Sequence, residues 1–135
     1  MQTLTVLSSS ATVPLSLPAG GSDVVTLVPI QETGGVALAP IGLVSMLNPG
    51  GAVLSCRLEA GADVAAADQG QEQEDDSIRC HLTLRGCGQV LIYASQPPFR
   101  LEVEGEAVEF GYIASPMHRL TFEIETGAAA VCIYF

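Results

Sequence analysis

What most constrains this chain is a two-residue rhythm that never gives way to a helical one. Ile78, Cys80, Leu82 and Leu84 fall on one face of an extended strand, and Arg79, His81, Thr83 and Arg85 fall on the other. Phe99, Leu101 and Val103 alternate in the same way with Arg100, Glu102 and Glu104, as do Phe122 and Ile124 with Glu123 and Glu125. Side chains of a strand point alternately to opposite faces, so each run has one face for a core and one for solvent. The last run, Ala130 to Phe135, is apolar on both faces, as expected of a central strand or one covered by another domain.

Gly, Pro, Ser and acidic clusters separate these runs. The expected strands are Leu4–Leu7, Val13–Leu17, Ser22–Ile30, Val36–Leu38, Ile41–Leu47, Ala52–Glu59, Ser77–Leu84, Gln89–Ala94, Phe99–Val103, Ala107–Tyr112, Arg119–Glu125 and Ala129–Phe135. Many short strands without helical interludes predict an all-β, antiparallel two-sheet sandwich. Residues 13–135 are read as the sandwich and 1–12 as a linker or the end of a preceding strand. Asn48, Pro49, Gly50 and Gly51 interrupt the apolar run Ala39–Val53 and read as the turn of a hairpin. Gly86 and Gly88 around Cys87 mark another reversal, and Ala19–Ser22 and Glu104–Glu106 two more. Residues 60–76, with Glu72, Glu74, Asp75 and Asp76, predict a flexible acidic loop; their spacing matches no EF-hand.

With 135 residues, nearly half of them hydrophobic, the chain can build a core without metal or disulfide staples. A net charge of −10, with five arginines and no lysine, argues against nucleic acid and against an anionic membrane surface. No run approaches the ~20 apolar residues of a membrane span, and the first residues resemble neither a signal nor a transit peptide, so a cytoplasmic location is expected.

No residue stands out as catalytic, cofactor-binding or metal-ligating. Cys56, Cys80, Cys87 and Cys132 lack CxxC spacing and read as free cysteines buried as small hydrophobes, with a disulfide among them as the alternative. His81 and His118 read as surface residues, and the sequence brings no cysteine to either. Glu102 with Glu104, and Glu123 with Glu125, lie on exposed stripes, where nothing raises a carboxyl pKa for acid catalysis. Tryptophan is absent, which leaves Tyr93 and Tyr112 as the candidates for stacking on a sugar ring.

Taken together, several segments resemble the C-terminal region of the raffinose synthase and alkaline α-galactosidase (seed imbibition protein) family of glycoside hydrolases. They are Val24–Ile30, Ala39–Asn48 with Gly50–Val53, Leu84–Val90 with Tyr93–Ser95, Val108–Tyr112 and Cys132–Phe135, in consistent order across residues 13–135. The acidic loop, His118 and the lack of lysine depart from the family's pattern and point to a divergent plant or algal member. The resemblance implies a β-sandwich packed on a (β/α)8 barrel. That barrel holds a carboxylate nucleophile and acid/base, and moves an α-galactosyl group from galactinol to sucrose or from an α-galactoside to water. None of those catalytic residues maps onto this chain. The expected role is therefore a structural accessory domain whose partner is the barrel, meeting small oligosaccharides only through it. It should leave an apolar face uncovered near Ile41–Leu47 or Val131–Phe135. A stand-alone carbohydrate-binding module, or an interaction domain unrelated to sugar, are the alternatives.

Overall fold

A computed structural model describes residues 4–61, 77–125 and 127–135, so most of the acidic segment and its carboxylates lie outside the described residues. The strands are β1 (Gln31–Thr33), β2 (Val36–Leu43), β3 (Val53–Ala60), β4 (Ile78–Arg85), β5 (Gly88–Ala94), β6 (Arg100–Val103), β7 (Glu106–Ala107), β8 (Phe110–Ile113), β9 (Arg119–Ile124) and β10 (Ala128–Tyr134). Among the described residues they form two antiparallel sheets of five strands each, in the orders β1-β2-β5-β9-β8 and β3-β4-β10-β6-β7. The chain therefore passes back and forth between sheets, and each crossing leaves both sheets a share of the apolar positions.

The core lies between the sheets. Leu38, Leu43, Val90, Ile92, Leu120, Phe122 and Ile124 enter it from the first sheet; Cys80, Leu82, Leu84, Leu101, Val131 and Ile133 enter from the second. The alternation in β4, β6 and β9 is thus the record of one buried face per strand. β10 is the middle strand of its sheet, paired with β4 on one side and β6 on the other. Its Val131 and Ile133 are buried in the core rather than left for another domain.

Two tight hairpins follow from glycine. Gly34 and Gly35 (φ +57° and +81°) join Thr33 to its partner Val36. Glu104 and Gly105 (φ +53° and +82°) join Val103 to Glu106. Positive φ at both central residues gives the reversal whose twist matches that of the strands.

Ala39–Val53 is not a hairpin. β2 belongs to one sheet and β3 to the other, so Asn48–Gly51 carries the chain across the sandwich. Expectations of Val36–Leu38 and Ile41–Leu47 as separate strands give way to one strand, β2, that runs through Pro40. Its ladder with β5 shifts register between Pro40 and Gly42, and a bulge is where a sheet tolerates a residue without an N–H. Likewise Ala107–Tyr112 splits into β7 and β8, which sit in different sheets.

Leu4–Leu7, Val13–Leu17 and Ser22–Ile30 form no strand. Val25, Leu27 and Pro29 lie opposite Leu54 and Cys56 across a groove of about 530 Å³, beside the edge strand β3 but unpaired with it. β-forming composition supplies side chains for a sheet face; the ladder also needs a partner backbone in register, which these runs lack.

Candidate functional sites

The two turn motifs converge at one end of the sandwich. Residues Pro49–Ala52 form a single 3-10 turn after Asn48. Arg85, at the end of β4, donates from Nε to the Gly51 carbonyl at 2.8 Å. Gly86 (φ +100°) lies against Leu43, where a Cβ would meet Cδ1 at 2.7 Å. Gly88 (φ +121°) faces Ser45 Oγ, and the Gln89 carbonyl accepts from Val44 N at 3.0 Å. Asn48, Pro49, Gly50, Gly51, Gly86 and Gly88 thus build one corner where both inter-sheet crossings pack together. The packing of this corner is mostly backbone, and the one thiol on it, Cys87, is exposed.

The two tyrosines meet at His118. Tyr112 donates its hydroxyl to the Ala94 carbonyl at 2.9 Å and lies 3.2 Å from His118 Nδ1. With the phenol hydrogen committed to Ala94, Nδ1 is the donor of that second bond. Tyr93 meets the same imidazole edge to face, with centroids 6.0 Å apart and planes at 77°. His118 has φ +46° and follows the cis Ser115–Pro116 peptide. Its own carbonyl accepts from Ala94 N at 2.9 Å, which anchors the β8–β9 loop to the end of β5. Burial, and secondarily the charge of Tyr93, raise the Tyr112 pKa.

The outer face of the β3-β4-β10-β6-β7 sheet carries a polar lattice. Arg57 on β3, His81 on β4, Cys132 on β10 and Glu102 on β6 are successive partners across the strands. Glu59, Arg79, Tyr134 and Arg100 form the adjacent row. Glu59 binds Arg57 at 2.7 Å and His81 Nε2 at 3.0 Å, and His81 Nδ1 lies 3.9 Å from Cys132 Sγ. The guanidinium carbons of Arg79 and Arg100 lie 5.8 and 5.9 Å from the Tyr134 ring centroid. Tyr134 donates to Glu102 Oε2 at 3.1 Å, and Arg100 pairs with the same carboxylate. The neighbouring Cys132 thiol, with desolvation and the Glu102 charge adding to it, pushes Tyr134 up to about 12.

The four cysteines are free, but of the expected burial only Cys80 keeps it in full: Cys56 and Cys132 are half-buried and Cys87 is exposed. Cys56 and Cys80 face each other inside the sandwich with sulfurs 3.8 Å apart. The bond to Cys56, reinforced by burial, drives the Cys80 thiol well up, so it stays protonated. Among the described residues, no group of three His, Cys, Asp or Glu side chains comes together to hold a metal ion. The pairing of Cys132 with His81 was outside the reach of the sequence. Parity puts His81 on a solvent face, but the Ala130–Phe135 run is apolar on both faces and nothing in the residues says that β4 lies beside β10.

A two-sheet all-β module with glycine-built crossings, one of them within the Ala39–Val53 run, narrows the class of protein, and comparison with known proteins supplies the rest. The family model for "Raffinose synthase or seed imbibition protein Sip1" matches residues 1–124. The chain belongs to that family. It is 32% identical over 123 residues to a probable galactinol–sucrose galactosyltransferase 6 of Arabidopsis thaliana, covering 90% of this chain and 14% of the relative. It is 31% identical over 111 residues to a galactinol–sucrose galactosyltransferase of Pisum sativum, covering 81% and 12%. A galactinol–sucrose galactosyltransferase of Oryza sativa subsp. japonica matches at 33% over 78 residues, 58% of this chain and 8% of the relative. The chain thus spans 14% or less of the length of these relatives.

Proposed function

We propose that this chain is the non-catalytic, C-terminal accessory domain of a raffinose synthase-like or alkaline α-galactosidase enzyme, packed on a (β/α)8 barrel that performs the galactosyl chemistry. The observation that carries the reading is the mismatch of lengths: 90% of this chain aligns with only 14% of a relative named as a galactosyltransferase. The sandwich corner built by the Ala39–Val53 run and Gly86–Gly88 is structural in character, which fits a supporting module.

The exposed apolar side chains favour a covering partner. Val6, Leu7, Val13, Leu15, Leu17, Val24, Val25, Leu27 and Ile30 are all exposed, Leu27 at 73%. Single exposed apolar residues are ordinary, but a whole stretch of them marks an interaction surface. This surface lies on residues 4–30, together with Met46 and Leu47, rather than on Val131–Phe135. The occupant is the rest of the parent enzyme, whose barrel is where galactinol, sucrose or another small α-galactoside is bound.

The test is association of the chain with the separately produced remainder of its parent. Wild type binds, and V25S with L27S weakens binding by tenfold or more, roughly the loss of one or two apolar anchors. Failure to associate overturns the proposal. Saturable binding of galactosides by the chain alone, lost in Y93A or Y112A, favours an independent sugar-binding module instead.

A further inference from the structure

We propose that Cys132, His81 and Glu59 form a reactive-thiol site, on the outer face of the β3-β4-β10-β6-β7 sheet, that takes S-thiolation from a small anionic disulfide of the glutathione disulfide class. The site stands apart from the accessory-domain reading and does not depend on it.

The geometry orders a proton path. Glu59 is a carboxylate and can only accept, so the ring hydrogen of His81 sits on Nε2, 3.0 Å from Glu59 Oε1. That choice leaves the Nδ1 lone pair facing Cys132 Sγ at 3.9 Å. Arg57, 2.7 Å from the other Glu59 oxygen, holds the carboxylate in place. Nucleophile, base and orienting carboxylate thus follow one another across three adjacent strands, at the looser spacing such groups show before a reactant is bound. Rigid sheet register, rather than a loop, sets the order. Glu59 is a positioning residue; the thiol and the imidazole do the chemistry.

The surroundings select the reactant. The chain carries a net charge of −10, yet Arg57, Arg79, Arg85 and Arg100, four of its five arginines, stand on this one face. Among the described residues, the carboxylates of Glu59, Glu102 and Glu104 and the phenol of Tyr134 are the other titratable groups beside Cys132 and His81. An arginine-rich patch on an acidic protein draws a carboxylate-bearing reactant to the thiol.

In the reaction, the Cys132 S–H proton passes to His81 Nδ1 and the sulfur attacks one sulfur of the disulfide. A new S–S bond joins Cys132 to that half of the reagent. The old S–S bond breaks, and its electron pair leaves on the other half as a thiolate, which takes the proton back from His81. Cys132 ends oxidised as a mixed disulfide, and half of the small disulfide ends reduced as a free thiol.

Cys87 provides an internal reference, because it is exposed on the connection between β4 and β5 rather than on a strand of the sheet. The experiment incubates the chain with glutathione disulfide at neutral pH, quenches with acid, and measures adduct formation at each cysteine by peptide mass spectrometry. Cys132 is expected to react about tenfold or more faster than Cys87, the lower end of what a positioned base supplies. H81Q and H81A each bring Cys132 down to the Cys87 rate, while Cys80 stays unmodified and reports an intact core. E59A lowers the Cys132 rate and removes the preference for the Nε2–H tautomer in imidazole nitrogen spectra. Bis(2-hydroxyethyl) disulfide, which is uncharged, shows a smaller Cys132 advantage than glutathione disulfide. Cys132 reacting no faster than Cys87, or unchanged in both His81 variants, overturns the site. Equal selectivity for the two disulfides overturns the anionic reactant class, and an unchanged E59A rate overturns the positioning role.

Discussion

Gly42 on β2 packs directly against the carbonyl of Pro49, so that a Cβ at Gly42 would lie 1.9 Å from that oxygen. The same glycine has φ +114°. One residue thus satisfies two demands: a backbone conformation that L side chains avoid, and contact between the strand and the crossing that leaves it. Replacement by alanine cannot be relieved by a rotamer change, because the clash is with backbone. G42A is expected to destabilise the sandwich by about 3 kcal/mol or more. G105A, where φ is +82° but no atom lies within 4 Å of the new Cβ, is expected to cost only about 1 kcal/mol. Urea unfolding midpoints of the two variants test the difference, and equal losses would assign the Gly42 effect to conformation alone.

The shared core predicts that truncation costs the same kind of penalty from either sheet. Leu120 on β9 and Ile133 on β10 are both fully buried. L120A and I133A are each expected to lose about 2–5 kcal/mol, from lost burial plus the cavity left behind. Cooperative unfolding with equal midpoints by fluorescence and circular dichroism checks that the two sheets melt as one unit; separate transitions would mean two weakly coupled layers.

Alkaline pH should loosen the outer lattice. Tyr134 is pushed up to about 12, first by the neighbouring Cys132 and then by desolvation and Glu102, so the folded chain holds the phenol proton more tightly than the unfolded chain does. For a group whose pKa is raised by folding, the stabilisation is complete below the unfolded value near 10 and is lost as pH climbs through about 12. Phenolate absorbance should show a late step at about 12 that is missing in Y134F. A Tyr134 step at the ordinary phenol value would contradict the lattice geometry.

Tyr112 ties β8 to the end of β5 through the Ala94 carbonyl. Y112F removes that bond and the contact with His118 Nδ1, and is expected to cost about 1 kcal/mol. Amide exchange should quicken at Ala94, whose N–H is bonded to the His118 carbonyl. Unchanged exchange at Ala94 would mean that the β8–β9 loop is held by other contacts.

How much of this was legible depended on what each feature needs. The period-two faces of β4, β6 and β9 could be read because alternation is a property of a single strand. Gly86 and Gly88 were legible as turn residues, but the sheets they connect were not. Whether a turn closes a hairpin or crosses a sandwich depends on the partner strand, and nothing within the Ala39–Val53 run tells the two apart. Gly34 and Gly35 carry a usable signal, since paired glycines between β-forming runs favour the tight hairpin seen there. Residues 4–30 have strand-like composition but pair with no strand, even beside the edge of β3. The juxtaposition of Cys132 with His81 is a product of strand order alone.

The role proposed for this chain is to support a galactosyl enzyme without doing its chemistry. The direct measurement is an assay of the purified chain with galactinol plus sucrose, and with an aryl α-galactoside in water. The expected result is no galactosyl transfer and no hydrolysis above the buffer rate. Turnover of either substrate by these 135 residues alone would contradict it.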